Sequence, residues 1–104
     1  MNYREPKLLK FAQDIDCCVL CGSRNRGDVV GAHSNHLSDG KGLSQKSNDL
    51  VAYVCQTCHD SIDGRNNAFD PLYRDLAFYK GVYKSVVWLL KTGRLVVGKE
   101  PYGE

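Results

Sequence analysis

Apolar residues recur at three- and four-residue spacings through the last third of the chain: Leu72, Leu76, Tyr79, Val82, Tyr83, Val86, Val87 and Leu90. That period gathers side chains on one face of an α-helix. Asp70 suits the N-cap, Pro71 the first helical position, and Gly93 the residue just past the last turn. The pattern predicts a helix over about 70–92 whose apolar stripe is core, with Gly81 weakening it only locally. Trp88 and the tyrosines 73, 79 and 83 belong to this helix as core or interface residues before base-stacking platforms.

Earlier in the chain the periods are shorter. Leu8, Leu9, Phe11, Ala12 and Ile15, opened by Pro6, predict a short helix from Pro6 to Asp14. Residues 22–28 form a polar turn, and Val29-Val30-Gly31-Ala32 reads as a strand ending at His33. Ser34 to Asn48 is rich in Ser, Asn, Asp, Gly and Lys, and predicts a long exposed loop of the kind that is functional or disordered in small domains. Leu50 to Val54 is a second strand, Cys58 to about Arg65 a short helix ended near Gly64 and Asn66-Asn67, and Leu95-Val96-Val97 a final strand. Internal repeats and low-complexity tracts are absent from the sequence.

At 104 residues and 42% hydrophobic composition this is one domain, 1–104, with a modest core to which a bound metal could add stability. The net charge of +2 permits a nucleic-acid partner without demanding one. No apolar run approaches the roughly 18 residues of a membrane span, and Met1 to Pro6 is not a signal peptide. A cytosolic protein without a membrane partner is expected.

The five cysteines sharpen the picture. Cys18-x-x-Cys21 and Cys55-x-x-Cys58 have the paired spacing of a four-thiolate zinc site. In a reducing compartment such pairs are metal ligands sooner than disulfides. Cys17 is the odd thiol and could replace Cys18, although the two-residue gap from Cys18 to Cys21 fits a zinc knuckle better. A redox or zinc-sensing role would normally accompany a thioredoxin-like pattern, which this sequence lacks.

His33 lies between the two pairs, and His59 follows Cys58 directly. A knuckle between the pairs would pin the start of a hairpin to the start of a helix, with His33 opposite that helix's first turn. His59 and Asp63, four residues apart, share a helix face, and Asp60 is expected to point away from them. An imidazole and a carboxylate so placed are half a site for Mg²⁺ or Mn²⁺.

Cys18-x-x-Cys21, Ala32-His33, Asn48-Asp49-Leu50-Val51 and Cys55-x-x-Cys58-His59 together resemble the HNH, or ββα-metal, nucleases over Cys18 to about Arg65. Within that class, Ala32-His33 and the run from Cys55 to Asp63 look like the small phage and prophage nucleases related to the Ref recombination nuclease. The resemblance implies an α+β fold: a zinc-knuckle ββα-metal core flanked by an N-terminal helix and a long C-terminal helix. It implies a metal-dependent DNA endonuclease or nickase linked to recombination or DNA processing in a bacterial cytoplasm. A host recombinase as partner is implied by kinship only.

By the same resemblance His33 is the general base, His59 and Asp63 are ligands of a catalytic divalent ion, and Asp49 or Asn48 orients loop and base. Cys18, Cys21, Cys55 and Cys58 would hold structural zinc. The position before the base, often a metal-binding Asp or His in the wider class, is Ala32 here, leaving more of the ion's shell to water, phosphate and Asp63.

Each residue also has a plainer reading. His33 could be a satisfied strand-end histidine, His59 a support or replacement ligand for zinc, Asp63 a solvated helix residue, and His36 an exposed loop histidine. Lys41, Lys46 and Arg65, with Arg24 and Arg26, flank the site and could neutralise phosphates, or be ordinary surface charge. The competing function is a catalytically silent zinc module that binds DNA or a protein.

Overall fold

The computed structural model describes residues 5–34 and 49–98, so the expected 34–48 loop, with His36, Lys41, Lys46 and Asn48, lies outside the described residues beyond Ser34. Among them the chain forms α1 (Pro6–Lys10), a 3-10 turn (Phe11–Gln13), β1 (Val29–Ala32), β2 (Ala52–Cys55), α2 (Gln56–Ile62) and α3 (Pro71–Lys91). This is a small mixed α/β unit with a two-stranded sheet and three helices.

The expected Pro6–Asp14 helix tightens after Lys10. The Asn25 amide explains the ending: it donates to the carbonyls of Ala12 (3.0 Å) and Ile15 (2.8 Å) while its oxygen accepts from the Gly27 N–H (2.9 Å). One side chain thereby joins the end of the N-terminal segment to the approach to β1.

β1 and β2 pair antiparallel, with Val29 opposite Cys55 and Ala32 opposite Ala52. The second strand runs two residues later at its start than the 50–54 expected, and Leu50 is exposed. Alternation along β2 divides the core. Ala52 and Val54 face a cluster containing Cys18, Ile62, Ala77 and Phe78, while Val51 and Tyr53 face one containing Leu8, Ala12, Ile15 and Leu89. The backbone groups of Tyr53 turned away from β1 are also used: its N–H donates to the Ser85 hydroxyl (2.9 Å), and its carbonyl accepts from the Val19 N–H (3.1 Å).

α3 therefore lies along the outer edge of β2 and feeds both clusters. Asp70 caps it by accepting from the Tyr73 N–H (2.9 Å). Its buried residues are Ala77, Phe78, Gly81, Ser85 and Leu89, which corrects the expectation that Leu72, Leu76, Tyr79, Tyr83 and Leu90 are core, since those five are exposed. The reason is close approach. A Cβ on Gly81 would stand 2.9 Å from the Ala52 Cβ, so glycine here is a contact requirement and not a local weakness.

The expected strand at Leu95-Val96-Val97 does not form. The N–H groups of Arg94 and Leu95 fold back to the Leu89 carbonyl (3.0 and 3.1 Å), Leu95 packs on the core, and Val96 and Val97 are exposed. Arg94 stacks over Trp88 at 4.6 Å and reaches Asp14 at 3.5 Å. No helix among the described residues is long and apolar enough to cross a membrane.

Tyr53 is fully buried, and its hydroxyl donates to the Leu8 carbonyl at 2.6 Å. Burial pushes its pKa up to about 12, against a smaller lowering by Arg94. The folded chain thus retains this proton more tightly than the unfolded chain, whose tyrosine titrates near 10. The resulting stability is complete below pH ~10 and is lost as pH rises towards 12, by roughly 2 kcal/mol. Urea unfolding across that range should show this loss in the wild type, and a shallower loss in Tyr53→Phe, which lacks the titrating group.

Candidate functional site

The first cysteine pair sits in a tight turn. The Cys18 N–H donates to the Ser23 carbonyl (2.9 Å), the Gly22 N–H donates to the Cys18 carbonyl (3.0 Å), and the N–H groups of Leu20 and Cys21 both point at the Cys18 sulfur at 3.4 Å. Gly22 has φ +76°, the left-handed conformation that completes such a turn without Cβ strain. The second pair comes from the β2–α2 junction: Cys55 ends the strand and is the extended N-cap of α2, and Cys58 lies in the helix's first turn.

The four sulfur atoms of Cys18, Cys21, Cys55 and Cys58 all lie within 4.8 Å of one another. The Cys21 and Cys55 sulfurs are 3.8 Å apart. Zn–S bonds of about 2.3 Å in a tetrahedron put adjacent sulfurs about 3.8 Å apart, so this donor set could hold a metal such as zinc. Two backbone N–H groups aimed at one sulfur suit a thiolate ligand. Cys17 is exposed and outside the cluster, which also does not include His59.

Ionisation follows each sulfur's surroundings. The Ser23 hydroxyl 3.1 Å from Cys21 lowers that thiol to about 6. Burial raises both Cys55 and Cys58; hydrogen bonding with Cys58 partly offsets the rise at Cys55, whereas at Cys58 the neighbouring sulfurs add to it. Packed thiolates without a cation repel one another and lack solvent, and both penalties fall when a divalent cation sits among them.

His33 emerges just past the Ala32–Ala52 pair, at the end of the hairpin away from Cys55. Its Nε2 lies 3.5 Å from Oδ1 of Asp49, a buried carboxylate whose Oδ2 accepts from the Glu5 N–H at 2.6 Å. Asp49 is thus the residue beside His33. Ala32 is fully buried in the core and offers no donor.

His59 is half-buried on α2, its Nε2 3.6 Å from Oδ2 of Asp63, the C-cap residue. The expectation that Asp60 turns away is corrected: its Oδ1 lies 3.9 Å from His59 Nδ1. Asp60 is held there by the Gln56 amide, which donates at 3.0 Å. Arg65 bridges both carboxylates, with Nη1 3.5 Å from Asp60 and Nη2 3.4 Å from Asp63. α2 packs on β1, β2 and α3, so the bearers of His33 and His59 form one packed unit.

Two contributors were not anticipated. Gln56 lies three residues before His59 and four before Asp60, and helical spacing alone could have suggested it. The Glu5 contact to Asp49 is made by a backbone N–H across 44 residues, and no residue pattern announces it.

Purified protein should carry one zinc per chain by elemental analysis. Cys18→Ser or Cys58→Ser should lose the metal and cooperative unfolding together, whereas Cys17→Ser should retain both. No family model, no curated protein and no solved structure matches the chain.

Proposed function

We propose that this protein is a metal-dependent DNA endonuclease of the HNH, ββα-metal, kind. In this reading zinc on Cys18, Cys21, Cys55 and Cys58 is structural, and His33 and His59 carry the chemistry. The observation that supports it is the pairing of each histidine with a carboxylate on one ββα unit: His33 with Asp49 at 3.5 Å, and His59 with Asp63 at 3.6 Å.

Asp49 fixes the base. With its carboxylate 3.5 Å from Nε2, Asp49 would favour the neutral tautomer protonated on that nitrogen, and the imidazole would take a proton from water. The imidazolium formed is then stabilised by the same carboxylate, which the Glu5 N–H holds in place. This is the base-and-orienter arrangement of hydrolytic sites.

His59 and Asp63 would hold Mg²⁺ or Mn²⁺. Their Nε2 and Oδ2, 3.6 Å apart on one side of α2, are an imidazole and a carboxylate that could ligate one such ion. Two protein ligands, with none from Ala32, leave the other positions to water and phosphate, as is common for Mg²⁺. An ion held by His59 and Asp63 would supply Lewis-acid stabilisation to the phosphate and the leaving 3′ oxygen. Arg65 pairs with Asp60 and Asp63 beside this site, where its guanidinium would also face a bound phosphate. Phage or prophage origin and a link to recombination extend this reading by resemblance.

A second reading, a catalytically silent zinc module that binds DNA or protein, is favoured by the burial of Ala32 at a position that often ligates metal in the wider class. Cleavage assays separate the two. With Mg²⁺ or Mn²⁺ and supercoiled plasmid or short single strands, the wild type should cut, EDTA should stop it, and His33→Ala should reduce the rate by at least about 100-fold with zinc content and circular dichroism unchanged. Absence of wild-type cutting, or equal cutting by His33→Ala, would contradict the nuclease reading.

A further inference from the structure

α3 has two apolar faces, and the core uses one. Turned to the opposite side are Leu72 (83% exposed), Leu76 (61%), Tyr79 (46%), Tyr83 (71%) and Leu90 (44%), with half-buried Val86 between the last two. Their spacings are four, three, four, three and four residues. That is an unbroken heptad seam along a 21-residue helix, the pattern by which helices pair side to side with a 3.5-residue repeat. Isolated exposed apolar residues are ordinary, but a continuous heptad row on the outward face of a helix marks an interaction surface.

The occupant argued by the flanking residues is a second copy of α3. Asp75 and Lys80 lie on opposite sides of the seam and are five residues apart. In a parallel two-stranded pairing, residues with this separation meet across the interface, giving two symmetry-related Asp75–Lys80 pairs. Val82 and Val87, also five apart, extend the apolar contact on both flanks. An antiparallel pairing centred on the seam would bring Lys80 near Lys80 of the other copy, which like-charge repulsion opposes.

We propose that the outward face of α3 is a self-association surface on which two copies pair in parallel through Leu72, Leu76, Tyr79, Tyr83, Val86 and Leu90. The exposed area of these side chains is on the order of 600 Å² per copy, somewhat under the roughly 800 Å² per partner of a standard stable interface. An interface of this size suits a reversible dimer whose population rises with concentration. It does not depend on the nuclease reading, because it uses none of the residues assigned there.

Sedimentation velocity from about 1 to 300 µM reads this directly. The wild type should move from monomer to dimer across the series. Tyr83→Glu combined with Leu76→Glu should weaken association by at least roughly tenfold, because it places unpaired charge in the seam. Both positions lie opposite the core, so circular dichroism and zinc content check that the variant is folded. Asp75→Lys should weaken the dimer, and Asp75→Lys with Lys80→Asp should restore it. A wild type that stays monomeric throughout, a dimer indifferent to the seam glutamates, or a charge exchange that fails to restore association would overturn the proposal.

Discussion

The meeting of four sulfurs joins the turn after the N-terminal segment to the junction of β2 and α2. Cys21 and Cys55 are 34 residues apart in sequence, and their sulfurs stand 3.8 Å apart. In a domain with a modest core, closing such a loop at one point constrains much else. Cys55 is at once the last residue of β2 and the N-cap of α2, so fixing its sulfur fixes the angle between strand and helix. His59 follows Cys58 by one residue and inherits its position from that junction.

β2 passes this constraint outward. Its two side-chain faces serve separate clusters, and both backbone groups of Tyr53 that face away from β1 have partners, one from the knuckle and one from α3. A strand at a sheet edge usually presents unpaired groups; here Ser85 and Val19 take that place. The contact needs α3 close, and Ala77, Gly81 and Ser85 provide the small surface that allows it. The larger residues of the same helix are then left facing outward, so the packing of α3 on β2 and the apolar seam behind it have one origin.

Legibility in the sequence followed chemical specificity. The cysteine pairs were readable because few side chains ligate zinc and their spacing is short. The His59–Asp63 pair was readable because helix geometry fixes four-residue neighbours. The buried face of α3 was not, since size ranks Leu72, Leu76 and Tyr83 above Ala77 and Gly81, whereas close approach selects the small residues. β2 was read two residues early at its start because Leu50 is as apolar as its neighbours, and only the pairing with β1 separates them. Leu95 to Val97 have strand composition, but the chain folds back there, with the Arg94 and Leu95 N–H groups on the Leu89 carbonyl. Asp60 was misplaced because its direction depends on Gln56 and Arg65 as much as on the helical period.

Cys18, Cys21, Cys55 and Cys58 form a donor set that could hold a metal such as zinc, with no histidine in the cluster. X-ray absorption at the zinc edge of the purified protein tests it most directly. Four sulfurs at about 2.3 Å and no bound nitrogen are expected. Three sulfurs and one nitrogen would make a histidine a ligand and contradict a four-cysteine site, as would the absence of bound zinc.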